Sequence, residues 1–138
     1  MSAEILAPAG SFDALVAAVR CGANAVYLGG KAFNARRNAS NFGDEELKRA
    51  VEYCHARNVK VYLTLNTMPR ADEYEPLRAF LCELKNIPID AVIVADLGVM
   101  DTVRELLPNM EIHISTQAGV CSPATALSYA RMGAKRLV

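Results

Sequence analysis

Short apolar runs alternate with helical patterns along the whole chain, and this alternation limits the fold more than any other feature of the sequence. Repeated β-α units place strands in parallel and join them by right-handed helical crossovers. The sequence therefore predicts an α/β protein with about six parallel strands and five helices. The predicted strands are Glu4 to Ala7, Ala25 to Gly29, Val59 to Leu65, Ala91 to Ala95, Glu111 to Ser115 and Lys135 to Val138.

The five predicted helices lie between these strands, and apolar residues mark them at spacings of three and four. Ser11 is placed to cap the first helix and Asp44 the second, while Pro76 suits the first turn of the third. Asn58 and Gly133 stand where the second and fifth helices should end. The apolar positions are Phe12, Leu15, Val16 and Val19; Leu47, Val51 and Cys54; Leu77, Phe80, Leu81 and Leu84; Met100, Val103, Leu106 and Leu107; the fifth helix runs from about Pro123 to Met132.

Two strands alternate between apolar and polar residues, which distinguishes the two architectures open to parallel β-α repeats. A central strand of an open, doubly wound sheet is apolar on both faces, whereas a barrel strand can turn polar residues towards a lumen. The alternation favours part of a TIM (β/α)8 barrel. The polar residues of the third strand are Lys60, Tyr62, Thr64 and Asn66, and those of the fifth strand are His113 and Ser115.

The chain has 138 residues, of which 52% are hydrophobic, and this suits one core and a single domain over residues 1–138. A complete barrel needs about 250 residues. We therefore expect the N-terminal part of a barrel, truncated after its sixth strand. The first and sixth strands would be left with open edges, which favours self-association through those edges.

Several classes of protein are excluded by simple features of the sequence. No apolar run approaches the roughly 18 residues of a membrane span, and the N-terminus lacks a secretory signal, so we expect a cytoplasmic protein with no membrane span. The four cysteines are 33, 28 and 39 positions apart. Zinc and iron–sulfur sites usually use closely spaced pairs, so we interpret these cysteines as reduced thiols and expect no metal.

A long basic loop follows the second strand. The formal net charge of the chain is zero, which argues against indiscriminate nucleic-acid binding, yet residues 14–43 contain no acid. Gly29 and Gly30 would let the backbone approach a ligand, while Lys31, Arg36 and Arg37 would clamp a carboxylate or phosphate. The alternative is a solvated loop whose arginines form surface ion pairs worth at most about 1 kcal/mol.

The carboxyl ends of barrel strands form the active face, so the residues placed there are the site candidates. His113 could serve as acid, base or ligand, or be a hydrogen-bonded core residue. Asp96 could orient a base or hold a substrate hydroxyl, or cap the fourth helix. These two are the catalytic candidates. The substrate-binding candidates are Tyr27, Gly29, Gly30, Lys31, Arg36, Arg37, Asn66, Ser115 and Gln117.

Four segments in order carry a resemblance to a known family. They are EILAPAGSFDALVAAVRCGANAVYLGGKAFNARRNASNF, HARNVKVYLTLNT, DAVIVADLGVM and EIHISTQAGV. Together they resemble the N-terminal half of the collagenase-like peptidase family U-32, over essentially the whole chain. The resemblance implies a barrel and one of two activities: collagenase-like proteolysis, or oxygen-independent hydroxylation of tRNA, rRNA or a quinone precursor. For several hydroxylating members of the family, the resemblance also implies an iron–sulfur cluster and prephenate as the oxygen source.

The resemblance also limits what this chain is expected to do alone. The family's glutamate- and cysteine-bearing signature and its cluster cysteines have no counterpart here, so we expect no cofactor in this chain and an iron–sulfur cluster only in a full-length parent. Three hypotheses follow. The parent is an enzyme of this family, and this part of it is inactive alone; or it is an RNA-modification factor; or the chain is a non-catalytic half-barrel that acts as an oligomer. The expected partners are an anionic small molecule, a peptide or RNA.

Overall fold

Six strands lie side by side in chain order in the computed structural model, which describes residues 3–35 and 42–138. All five neighbouring pairs are parallel, and five helices connect the strands, so the predicted half-barrel is confirmed. The strands are β1 (Leu6–Pro8), β2 (Ala25–Gly29), β3 (Lys60–Leu65), β4 (Ala91–Val94), β5 (Glu111–Ile114) and β6 (Arg136–Leu137). The helices are α1 (Phe12–Arg20), α2 (Asp44–His55), α3 (Tyr74–Leu84), α4 (Leu97–Leu106) and α5 (Pro123–Arg131).

The outward face of the sheet forms the main core with the helices. Apolar residues at alternate strand positions, such as Leu63 and Ile114, are buried against helical leucines such as Leu15, Leu47 and Leu81. Fully burying one such side chain stabilises the fold by about 1.5–3 kcal/mol. The apolar residues at every second strand position and those on the helices therefore pack together in one layer.

The inward face holds a second, smaller core and the polar residues of the strands. Ala25, Tyr62, Ala91 and Ile93 form a separate buried cluster on this face. The strand register sets Ile93 beside His113. Tyr62 and the polar residues of β5 therefore share the concave side, which is the arrangement that the barrel interpretation predicted.

The helix ends follow most of the predicted signals. The Ala14 N–H donates to Ser11 Oγ at 3.2 Å, so Ser11 caps α1. Gly133 follows α5 with a φ of 96°, a conformation that suits glycine. The predicted cap of α2 was wrong: Gly43 takes that position without a side-chain bond, and Asp44 is the first helical residue. Its carboxylate lies in the first turn, where the negative charge interacts favourably with the positive end of the helix dipole.

The two edge strands are tied together across the lumen. Glu4, two residues before β1, accepts two hydrogen bonds from Arg136 of β6, at 3.0 and 2.7 Å. The Tyr62 hydroxyl of β3 also donates to Glu4, at 2.9 Å. We call these three side chains the lumen brace. Within the described residues β1 and β6 each pair on one side only, and self-association through those edges stays a prediction.

The lumen brace should make stability depend on pH. The Arg136 hydrogen bonds lower the pKa of Glu4 from 4.5 to about 2. As pH falls, the unfolded chain takes up this proton first, so the stabilisation is complete above about pH 4.5 and lost near pH 2. We expect Glu4→Gln to lower the free energy of unfolding by about 1 kcal/mol at pH 7, because both side chains are partly exposed.

Urea unfolding of both proteins between pH 7 and pH 2 measures this difference. It should shrink steadily as the acid form of Glu4 comes to resemble glutamine. Glu83→Gln, at an exposed position of α3, is the matched control and should show a small difference. A cost of Glu4→Gln that stays constant down to pH 2 would contradict the assigned role of the lumen brace.

Candidate functional site

A pocket of about 260 Å³ opens at the carboxyl ends of the strands, on the concave face. Parallel strands end at the same rim, which is why residues far apart in sequence meet there. Five of the predicted substrate-binding residues line this pocket, and they come from β2 and from the segments after β3 and β5. These five are Tyr27, Gly29, Asn66, Ser115 and Gln117.

The other predicted binding residues lie elsewhere. Gly30 is buried, and its backbone pairs with Phe42 in an isolated bridge, outside the pocket lining. Lys31 is exposed, and its ammonium group lies beside Gly43 at the start of α2, also outside the lining. Arg36 and Arg37 lie outside the described residues, so the predicted anion clamp stays a prediction.

Asn34 lines the pocket, although the sequence interpretation did not select it. It is buried, and its carboxamide occupies the space where a Cβ on Gly29 would lie. Thr64 Oγ1 is 3.1 Å from Leu28 O and 3.3 Å from Asn34 Oδ1, so its single proton is shared between two acceptors. Gly29 is therefore required here by the close approach of Asn34. The one available signal was a carboxamide in the loop that follows the glycine pair.

Two further hydrogen bonds fix the rim of the pocket. The Ala35 N–H donates to Asn66 Oδ1 at 3.1 Å, which ties the loop after β2 to the end of β3. The Gln117 N–H donates to Ser115 Oγ at 3.2 Å, which starts a short 3-10 turn after β5. In both bonds the side chain is the acceptor, through Asn66 Oδ1 in the first and Ser115 Oγ in the second.

His113 lies on the same face but outside the pocket lining. It is fully buried, its ring packs edge-on against Tyr62 at 4.7 Å, and its Nε2 is 2.8 Å from Glu111 Oε1. Burial lowers the pKa of His113 below its usual value, although the Glu111 carboxylate opposes that shift. Its Nδ1 has no hydrogen-bond partner within the described residues. A catalytic role for His113 stays a prediction, and its burial and contacts are those of a hydrogen-bonded core residue.

Asp96, the second catalytic candidate, is occupied by structural hydrogen bonds. Its Oδ1 accepts from the Val99 N–H at 3.0 Å and so caps α4. The same oxygen accepts from the Tyr74 hydroxyl at 3.0 Å. Burial, and then this hydrogen bond, raise the pKa of Tyr74. Asp96 does not line the pocket, so a role in the reaction likewise stays a prediction.

The cysteines are dispersed over the structure. Cys54 is a buried residue of α2, where desolvation raises the pKa of its thiol to about 11, and the other three are exposed. Across residues 3–35 and 42–138, no group of three or more His, Cys, Asp or Glu side chains could hold a metal ion. The described residues therefore do not fit the iron–sulfur cluster that some family members are expected to carry.

Among the described helices, none is long and apolar enough to cross a membrane.

A parallel half-barrel with a pocket at the carboxyl ends of its strands, lined in part by amide and hydroxyl groups, has the architecture of the TIM-barrel enzymes. Comparison with family models identifies the particular group: the model of Peptidase family U32 matches residues 10–138. The chain belongs to this family.

Individual relatives carry two kinds of name. The chain is 35% identical over 135 residues to the tRNA hydroxylation protein P1 of Bacillus subtilis, covering 98% of this chain and 32% of that protein. It is also 35% identical over 129 residues to a collagenase of Porphyromonas gingivalis, covering 93% and 31%. The chain therefore spans about a third of the length of these curated relatives.

The fold is also found in a solved structure. A U32 peptidase superimposes with a TM-score of 0.75 at 19% identity, over 99% of this chain and 57% of that one. At this identity the likeness supports the half-barrel fold alone.

The contact between Gly29 and Asn34 can be tested by a double-mutant cycle. A methyl group on Gly29 would overlap with the Asn34 carboxamide. We expect Gly29→Ala to lower the free energy of unfolding by about 1–3 kcal/mol, as overpacking does. In an Asn34→Ala background the same change should cost at least about 1 kcal/mol less.

Urea unfolding measures all four corners of this cycle. Gly10→Ala is the matched control, because Gly10 also lines the pocket but an added Cβ there meets nothing within 4 Å. Its effect should add to that of Asn34→Ala. Additive effects of Gly29→Ala and Asn34→Ala would show that the contact is not formed.

Proposed function

We propose that this chain forms the substrate-binding part of an RNA-hydroxylating protein of the U32 family. One observation carries the proposal: among the described residues that line the pocket, Tyr27 is the only one with an ionisable side chain. Peptide hydrolysis by a nucleophilic side chain needs an adjacent general base, and the described lining contains none. The described lining therefore offers binding groups, and we expect the reactive groups among residues outside that lining.

The size and lining of the pocket suit one nucleobase. Its volume of about 260 Å³ is below the roughly 300–1,000 Å³ of pockets for drug-sized ligands. Proteins recognise unpaired RNA bases by stacking them on aromatic rings and by hydrogen bonding to their edges. Tyr27 supplies a ring, while Asn66, Ser115 and Gln117 supply amide and hydroxyl groups.

Two further points support RNA as the partner. The relative from Bacillus subtilis is named for tRNA hydroxylation. The sequence after β2 contains Lys31, Arg36 and Arg37, and cations of this kind neutralise RNA phosphates. An iron–sulfur cluster, where the reaction uses one, would be held by residues other than those described.

Peptide hydrolysis is the second candidate function, and the relative named collagenase favours it. The same amide and hydroxyl groups can hydrogen bond to a peptide backbone as well as to a base. The general base would then come from outside the described pocket lining.

The two functions can be separated in the source organism by deleting the gene. We expect mass spectrometry of total tRNA and rRNA nucleosides to show the loss of one hydroxylated nucleoside. Wild-type protein should restore it, and Asn66→Ala should restore less than about a tenth, because this substitution removes both a pocket donor and the bond to Ala35.

Asn86→Ala, at an exposed position just after α3, is the matched control and should restore the nucleoside fully. An unchanged nucleoside profile together with loss of gelatin hydrolysis would refute the RNA proposal and support the peptidase.

A further inference from the structure

We propose that Asn66 is a specificity-determining residue whose carboxamide is fixed as a hydrogen-bond donor, so that the pocket selects ligands by their acceptor oxygens. The inference deepens the proposed function and rests on it only for the kind of molecule that enters. The ligand chemistry it assigns is a carbonyl or carboxylate oxygen, from either a base or a small acid.

The orientation of the Asn66 side chain follows from its partner. The Ala35 backbone N–H can only donate, so the carboxamide atom 3.1 Å away must be the oxygen Oδ1. This settles the choice between the two amide orientations, which heavy-atom positions alone do not distinguish. Nδ2 then carries two N–H donors, and within residues 3–35 and 42–138 it makes no hydrogen bond. Because Asn66 lines the pocket, these donors are available to a ligand.

Ser115 supplies a second donor. Its Oγ accepts from the Gln117 N–H at 3.2 Å, which leaves its own proton to be donated, and within residues 3–35 and 42–138 the hydroxyl makes no other hydrogen bond. Ser115 is 5% exposed and lines the pocket. A buried hydroxyl proton without an acceptor is costly, and a ligand oxygen would satisfy it.

The strand order sets the spacing of these two donors. Asn66 and Ser115 follow β3 and β5 directly, and β4 lies between those strands. Neighbouring strands are about 4.8 Å apart, so the two Cα atoms are about 10 Å apart, with Ile93 of β4 also lining the pocket. A ring with an acceptor oxygen fits between inward-pointing donors at this separation.

The same geometry rejects a ligand that presents an N–H group at this place. The N–H would face the Nδ2 protons of Asn66, and buried donors on both sides would be left without acceptors. Sites built to hydrogen bond one group can reject an analogue lacking it by up to about 10⁴–10⁵. In a pocket that is partly open, we expect at least about a tenfold preference.

The test uses three probes that differ in what they present. Uridine 5′-monophosphate has a carbonyl oxygen on C4 of its base where cytidine 5′-monophosphate has an amino group, and benzoate presents only a carboxylate. Isothermal titration of the purified protein should give at least about tenfold tighter binding of the uridine nucleotide than of the cytidine nucleotide. Benzoate should bind as well.

Asn66→Asp is the deciding variant. It keeps an oxygen for the Ala35 N–H but replaces the Nδ2 donors by a second oxygen, so we expect it to reverse the preference between the nucleotides and to abolish benzoate binding. The added charge affects both nucleotide phosphates alike, so the ratio of the two affinities is the readout. Asn86→Asp makes the same chemical change at an exposed site and should leave that ratio unchanged.

Ser115→Ala is a second, neutral variant and should weaken the uridine nucleotide about three- to tenfold. Urea unfolding checks that each variant is folded. Benzoate binding that depends on Asn66, without binding of either nucleotide, would support the donor assignment while refuting the nucleobase part of the proposed function. A preference for cytidine, a ratio unchanged by Asn66→Asp, or no binding of any probe would overturn the inference.

Discussion

The common direction of the six strands is the constraint on which the rest of the structure depends. Because the strands are parallel, all their carboxyl ends reach one rim, and because side chains alternate, every second residue faces the lumen. The register then sets Leu65 of β3 beside Val94 and Val94 beside Ile114. Asn66 and Ser115, each one residue further along, therefore emerge at the same level on the same side.

Charge is distributed unevenly through the lumen. Ionisable groups lie nearer the amino ends of the strands, where Arg136 pairs with Glu4 and Glu111 meets His113. Paired charges cancel within a short distance, and burial disfavours the charged form of an ionisable group, as the lowered pKa of His113 shows even beside the Glu111 carboxylate. The described pocket lining above them is neutral. The polar features of the described lining are therefore hydrogen-bonding groups rather than charged side chains.

Local patterns were sufficient to predict the strands, the helices and the face of the sheet that holds the pocket. Within β3, the alternation of Val61 and Leu63 with Tyr62 and Thr64 already distinguished the outward face from the concave face. Asn34 could not be found in this way, because its burial depends on the loop after β2 folding back onto β3, as the Ala35–Asn66 bond requires. Contacts between distant segments leave no periodic signal in the sequence.

The same distinction applies to the charged candidates. The sequence allowed Asp96 to be a helix cap or a reactive group. In the structure its carboxylate accepts hydrogen bonds from the Val99 N–H and from the hydroxyl of Tyr74, which lies more than twenty residues away in sequence. The environment of His113 likewise depends on a ring contact with Tyr62, which belongs to another strand. In both cases the position relative to the strand was predicted correctly and the chemical environment was decided by tertiary contacts, while the catalytic role stays a prediction.

The donor geometry of the pocket does not depend on the open edges of the sheet. Asn66 and Ser115 extend from β3 and β5, and each of these strands has hydrogen-bonded neighbours on both sides. The loop that orients Asn66 comes from β2, which is likewise internal. The lumen brace adds a tie between β1 and β6 at the other end of the lumen. The positions of the Asn66 and Ser115 side chains at the rim are therefore fixed by contacts within this chain, which spans only about a third of its curated relatives.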